Sequence, residues 1–270
     1  MSYLLINSIH RPRREVFYDN IVIHEYFDPY SHPQPEYLVL GLPDAGLVGS
    51  IASRYLVFNR QFKLVGEVDS PVYFPYITVI HCSVPISPIQ LYLSDDRKIM
   101  VLLAEIPIPA HAVYPLVRTI IGYSKEINIK HIISLAGLAV PNRLQISKPK
   151  VYWLASTKST RELLKDISIE ELKEGFIVGP YALLLKEARR RGISNLALFA
   201  ESFLDIPDPE SAAETLRILS NILGIDIDLK QLLEEAELVK LKTRELMLQT
   251  RKTMSEMQKG YEMQLPLMYQ

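Results

Sequence analysis

The sequence predicts an α/β fold, a three-layer α/β sandwich with an extended C-terminal helical arm, on three observations. Apolar runs of strand length alternate with helix-length segments from Ile21 to Ala200. A glycine-rich loop, Gly41 to Gly49, joins one of those strands to a helix. Near the C-terminus clear helix punctuation introduces a long segment whose apolar stripe fades after Leu246.

The elements follow in order. Ile21–Ile23 and Tyr37–Leu40 read as strands, the second ending at Gly41-Leu42-Pro43. Gly46–Phe58 reads as a helix, and Phe62–Val68, Ile77–Cys82, Ile89–Leu93 and Ile99–Ala104 as strands. His111–Ile127 is helical, and His131–Leu135 is a buried strand ending in Ala136-Gly137. Val151–Leu154 is a strand, Thr160–Asp166 a short helix and Phe176–Val178 a strand. Pro180 suits a first helical turn, where its fixed φ and missing donor are tolerated, and Gly192 suits the end of that helix. Asn195–Ala200 is the last strand. Asp208-Pro209-Glu210 combines an N-cap, a first-turn proline and a first-turn acid, and that helix stops at Gly224. Asp228 caps a long helix to about Lys259, with Leu229, Leu232, Ala236, Val239 and Leu246 at three- and four-residue spacing. Beyond Leu246 come Thr250, Thr253 and Met257, so the helix is expected to leave the core there. The chain divides into a body of residues 1–227, a long helix of 228–260 and a tail of 261–270.

Composition bounds the function. The 270 residues are 48% hydrophobic and 23% charged, as in a soluble globular protein. Thirty basic residues against 31 acidic ones leave a net charge of −1, so neither a nucleic-acid field nor a membrane-surface patch is evident. Cys82 is the only cysteine, which excludes an internal disulfide and points to a reducing, cytoplasmic setting. The apolar start is too short for a signal peptide, its basic residues follow rather than precede it, and no run has the length of a membrane span.

Chemistry is sparse. The loop Gly41–Gly49 could turn backbone amides and a helix N-terminus toward an anion. It lacks the Lys-Ser or Lys-Thr of a Walker loop, and Asp44 stands where the dinucleotide fingerprint needs glycine. Gly46 and Gly49 therefore read first as residues that let the helix lie close to the sheet. Asp44, Glu105 and Glu201 are acids expected just past strand ends, where α/β sheets gather ligands, and two carboxylates in one cleft could act as acid and base. Their plainer role is to cap loops and helix ends. Together with Gly41, Gly46 and Gly49 they form a candidate ligand loop. Six scattered histidines without cysteine partners argue against zinc, and no cofactor is expected. Lys186, Arg189, Arg190 and Arg191 read as a solvated helix end.

The strand–loop–helix at Gly41–Gly49 resembles the opening motif of the proteasome assembly chaperone family, in its archaeal branch. The resemblance extends in order to Ala136–Ala139, Gly179–Ile193, Ala200-Glu201-Ser202 and Asp208–Ala213, and covers roughly Tyr37 to Leu238. It implies a fold akin to purine nucleoside phosphorylases, no catalytic activity, and self-association into a homo-oligomer, a tetramer or a pentamer. One departure is Tyr181, where relatives often carry a second glycine. The chain ends in Met268-Tyr269-Gln270, similar to the hydrophobic–tyrosine–any tail with which proteasome activators and assembly chaperones dock on the α-subunits of the core particle. The chemistry suits a socket: a ring fills an apolar slot, its hydroxyl finds a polar partner and the terminal carboxylate meets a lysine. The alternative is a nucleotide- or nucleoside-binding enzyme on the phosphorylase-like fold, since fold alone does not give function.

Overall fold

A computed structural model describes the backbone of residues 11–262 and the side chains of 11–257. Its strands are β1 Arg14–Tyr18, β2 Ile21–Glu25, β3 Tyr37–Gly41, β4 Lys63–Asp69, β5 Val79–His81, β6 Val84–Ile86, β7 Ile89–Leu93, β8 Ile99–Ala104, β9 His131–Ala139, β10 Val151–Ala155, β11 Glu170–Glu171 and β12 Asn195–Ser202. The helices are α1 Val48–Asn59, α2 Ala110–Glu126, α3 Pro180–Arg190, α4 Pro209–Leu223, α5 Lys230–Glu234 and α6 Ala236–Glu262.

Ten strands form one mixed sheet in the order β1-β2-β4-β7-β8-β3-β9-β12-β10-β11, while β5 and β6 make a separate hairpin. The central strands β8, β3, β9 and β12 run parallel. Both their faces are covered, so their sequences are almost continuously apolar. Side chains alternate along β3: Leu38 and Leu40 join Leu116 of α2 and Leu184 of α3, whereas Val39 joins Ile51 of α1 and Leu216 of α4. Two hydrophobic clusters thus lie on opposite faces of one mixed sheet. The punctuation around α4 is as read: Asp208 accepts a hydrogen bond from the Ser211 amide at 3.1 Å, Pro209 opens the helix, and Gly224 closes it in the left-handed conformation, φ +64°.

Four local expectations change. Edge strand β1 was not anticipated, because its burial alternates and Phe17 faces outward, 67% exposed. Phe176–Val178 forms no strand; it sits between Gly175 and Gly179, and β10 pairs instead with Glu170–Glu171. The strand expected at Ile77–Cys82 shrinks to β5, and Cys82 occupies the hairpin turn, half-buried, rather than the core. The long helix is broken: Glu235 leaves helical geometry between α5 and α6, at φ −94° and ψ 15°.

Helix α6 also stays on the body longer than its pattern suggests. It lies against the Ala45–Leu47 turn, α4 and α2, and both Met247 and Thr250 are buried. Threonine tolerates this position because its hydroxyl donates to the Leu246 carbonyl at 2.7 Å, leaving no unpaired polar group. Arg251 adds an ion pair to Asp205 at 3.3 Å. Among the described residues, no helix is long and apolar enough to cross a membrane.

Candidate functional site

Strands β3 and β8 are neighbours, yet the chain leaves β3 for α1 on one face and leaves β8 for α2 on the other. Such a divergence opens a crevice at the carboxyl ends of the strands, where α/β sheets bind ligands. The loop from Gly41 to Gly49 forms its centre.

Close packing dominates that loop. A Cβ on Gly41 would fall 1.7 Å from Ser53 Oγ, and one on Gly49 would fall 2.2 Å from the Leu135 carbonyl oxygen. Both positions let α1 approach the sheet more closely than any side chain permits. Gly46 adopts φ +62°, the left-handed region that glycine enters without strain, and its carbonyl accepts the Asp208 amide at 2.8 Å. Gly49→Val is expected to cost roughly 1–3 kcal/mol by overpacking, because the obstruction is backbone and not a side chain that can rotate away. Chemical denaturation checks this; a variant as stable as the parent would refute the packing role.

Asp44 turns its carboxyl into the loop. Its Oδ2 accepts the Gly137 amide at 2.7 Å, which ties the loop to the end of β9. Oδ1 is shielded from solvent and has no hydrogen-bond partner among the described residues, although the residue as a whole keeps some exposure through its other atoms. Burial raises this carboxyl well above the usual carboxylate range, and the amides of Gly137 and Gly49 only partly oppose the shift. A group with a raised folded-state pKa contributes stability below its unfolded value, near 4, and loses it as pH rises through the folded value. Asp44→Asn lacks this titration. The melting temperature of wild type relative to Asp44→Asn is therefore expected to fall steadily as pH is raised from about 4. A gap that stays constant between acid and alkaline buffer would refute the shift.

Tyr181 of α3 packs against the start of the loop. Its hydroxyl accepts the Leu42 amide at 2.7 Å and lies 3.2 Å from the Leu40 carbonyl. The side chain is buried, and burial, followed by the nearby Asp44 charge, holds the phenol well above its usual range. With Tyr181 bonded to the Leu42 amide, Asp44 at the start of the Ala45–Leu47 turn and α6 across that turn, the loop is packed by the chain's own groups.

The two remaining acids are engaged elsewhere. Glu105 follows β8 and forms an ion pair with Arg54 of α1, whose guanidinium sits 5.0 Å above the Phe58 ring. Glu201 of β12 accepts the Lys150 amide at 2.9 Å and the Tyr152 hydroxyl at 3.2 Å, lining an open cavity with Glu170 and Leu138. Among the described residues no hydrogen bond joins any two of Asp44, Glu105 and Glu201, and no group of three His, Cys, Asp or Glu side chains is placed to hold a metal. Met268, Tyr269 and Gln270 lie outside the described residues.

A buried ion pair beside the loop had no sequence signal. Arg143, 3% exposed, donates through Nε and Nη2 to both oxygens of Asp208, at 2.7 and 2.9 Å. Nη2 also reaches Glu210 at 2.8 Å, and Nη1 reaches the Ile146 carbonyl at 2.8 Å. Asp208 was legible as the α4 cap; that it also holds a buried guanidinium was not, since 65 residues separate the partners.

Comparison with known proteins agrees with this architecture. Pyrococcus furiosus PbaA, an archaeal homolog of proteasome-assembly chaperone, superposes with a TM-score of 0.75 at 30% identity, over 81% of this chain and 95% of PbaA. P. furiosus PbaB, an archaeal proteasome activator, shares the fold with a TM-score of 0.69 at 24% identity, over 84% of this chain and 98% of PbaB. An uncharacterised protein of Methanocaldococcus jannaschii is 27% identical over 226 residues, covering 84% of this chain and 91% of that protein. Residues 38–247, which carry the packed glycine loop, the Tyr181 plug and the Arg143–Asp208 pair, match the PAC2 family model, and the chain belongs to the PAC2 family.

Proposed function

We propose that this PAC2-family protein is a non-enzymatic proteasome assembly chaperone or activator that docks on the α-ring of the core particle through Met268-Tyr269-Gln270. The observation that carries the reading is the hydrophobic–tyrosine–any ending on a body 30% identical to an archaeal homolog of proteasome-assembly chaperone. In this reading residues 1–227 form the body, 228–260 the helical arm and 261–270 the docking tail, in the cytoplasm with the proteasome. Copies of the chain associate into a homo-oligomer, a tetramer or a pentamer, because several tails on one particle bind far more tightly than one by effective concentration. The alternative is a nucleotide- or nucleoside-binding enzyme of phosphorylase-like fold; against it stands a glycine loop that carries the Asp44 carboxyl, bonded to the Gly137 amide, and no phosphate-anchoring lysine or arginine.

Truncation after Lys259 tests the division of labour. It keeps Met247, Thr250 and Arg251, which hold α6 to the body, so light scattering is expected to give the parent's oligomer. The same truncation is expected to abolish capture by immobilised proteasome core. Capture that survives the truncation would contradict the docking role, and monomers in light scattering would contradict the assignment of assembly to the body.

A further inference from the structure

The two ends of the ten-stranded sheet carry different surfaces. At one end α2 covers a single face of β1 and β2, the face on which Val16 and Tyr18 pack. On the other face Phe17 stands directly opposite Val22, and Val22 opposite Asp69 of β4, so the three side chains form one row across the strands. No residue of β1 or β2 belongs to the hydrophobic cluster on that face. The loop after β4 extends the row with exposed Val72 and with Tyr76, 93% exposed, whose hydroxyl donates to the Pro71 carbonyl at 3.3 Å. Asp19 and Asp69 are exposed there and, among the described residues, form no ion pair.

The opposite end lies about 40 Å away, at ~4.8 Å for each strand spacing, and it is basic and grooved. Arg190 and Arg191 both pair with Glu187, at 2.8 and 3.1 Å. Lys186 and Arg189 are exposed and, among the described residues, form no ion pair. These two cations rim a groove of about 360 Å³ between β10 and α3, floored by Leu154, Ile177 and Leu185. Phe176 and Val178, 85% and 50% exposed, flank Ile177 in sequence. One end thus offers protruding apolar side chains with two uncommitted carboxylates, and the other an apolar groove with two uncommitted cations. The two surfaces are complementary in charge.

We propose that copies of the chain join head to tail, with the Phe17–Tyr76 surface of one copy seated on the β10–α3 groove of the next and Asp19 and Asp69 facing Lys186 and Arg189 across the joint. The occupant is a second copy because the chain supplies both halves, and about 40 Å keeps one chain from joining its own ends. A joint between two different surfaces is heterologous; repeated by rotation it closes a ring, and a symmetric ring of five needs a joint of this kind. The inference rests on the homo-oligomer proposed above and names the surfaces that hold it. One rotation then relates each copy to the next, so all tails leave the ring on the same side, as docking on a single α-ring requires.

Light scattering of two full-length double variants tests the joint. Phe17→Asp/Tyr76→Asp breaks the first surface and Phe176→Asp/Arg189→Glu the second, all at exposed positions. Each variant alone is expected to have the mass of one chain. Mixed in equal amounts, the two should give particles of twice that mass and no larger, because each keeps one intact surface and the two that remain are complementary. The doubling also shows that both variants are folded. A mass above one chain for either variant alone would overturn the proposal, and so would a mixture that stays monomeric. A parent protein that itself has the mass of one chain would sink the homo-oligomer reading and the joint with it, whereas unchanged variants beside an oligomeric parent would sink the joint alone.

Discussion

Arg143→Ala is expected to lower stability by about 3–5 kcal/mol, the usual loss when one partner of a buried ion pair is removed. The size follows from what stays behind. Asp208 has a side chain 2% exposed, held by Arg143 through two hydrogen bonds. Without the guanidinium its charge keeps only the amides of Ser211 and Phe203, at 3.1 and 3.3 Å. Those two donors place the expected loss toward the lower end of the range. Glu210 moves little in this account, because its side chain is 54% exposed and water can replace the lost contact. Part of the loss is packing, since the guanidinium lies 5.2 Å from the Phe203 ring centre. Asp208→Ala should be as damaging through the loss of the α4 cap as well as the pair. The double variant should lose less than the sum of the two single losses, because the contact they share is removed only once. Denaturant unfolding of the three variants measures this cycle. An Arg143→Ala loss below about 1 kcal/mol would mean that the pair is solvated in solution, contrary to the burial described here.

The fold was legible where the signals are local. The runs that became β3, β8, β9 and β12 are apolar on both faces, and the Asp208-Pro209-Glu210 start and Gly224 stop of α4 need only neighbours in sequence. Edge strand β1 escaped because Arg14 and Glu15 mask its alternation, and its exposed face has no apolar demand. Thr250 misled because a threonine that bonds its own helix backbone can be buried like an apolar residue. In the site, the close approach at Gly49 was readable from a small residue at a strand–helix junction, whereas Arg143 was a lone basic residue in a loop. Tyr181 was visible as a departure from its relatives, but only the three-dimensional path places its hydroxyl on the Leu42 amide, 139 residues away.

The revised course of α6 bears on how the tail can work. A continuous helix over Asp228–Lys259, about 48 Å long at ~1.5 Å per residue, would hold the tail far from the body. Instead α6 starts after a break at Glu235, is held at Met247, Thr250 and Arg251, and passes Gly179 at Met257. Beyond that point the remaining helix and tail reach about 35 Å at most. In the proposed role, docking would then depend on how an oligomer orients its α6 helices, and not on the length of an isolated arm. Leu238, Leu241 and Leu248, exposed along the outer side of α6, lie on the part that such packing would have to accommodate.

Surface plasmon resonance against an immobilised proteasome core tests the docking claim most directly. Tyr269→Ala removes a ring and a hydroxyl from the socket, a loss of roughly 2 kcal/mol or more per tail, multiplied across the tails of an oligomer. A single residue added after Gln270 displaces the carboxylate from its cationic partner and should be nearly as damaging. Gln270→Ala should bind like wild type, since only its terminal carboxylate is read. The account predicts saturable wild-type binding that both Tyr269→Ala and the extended tail abolish; binding left unaltered by those two changes would contradict it.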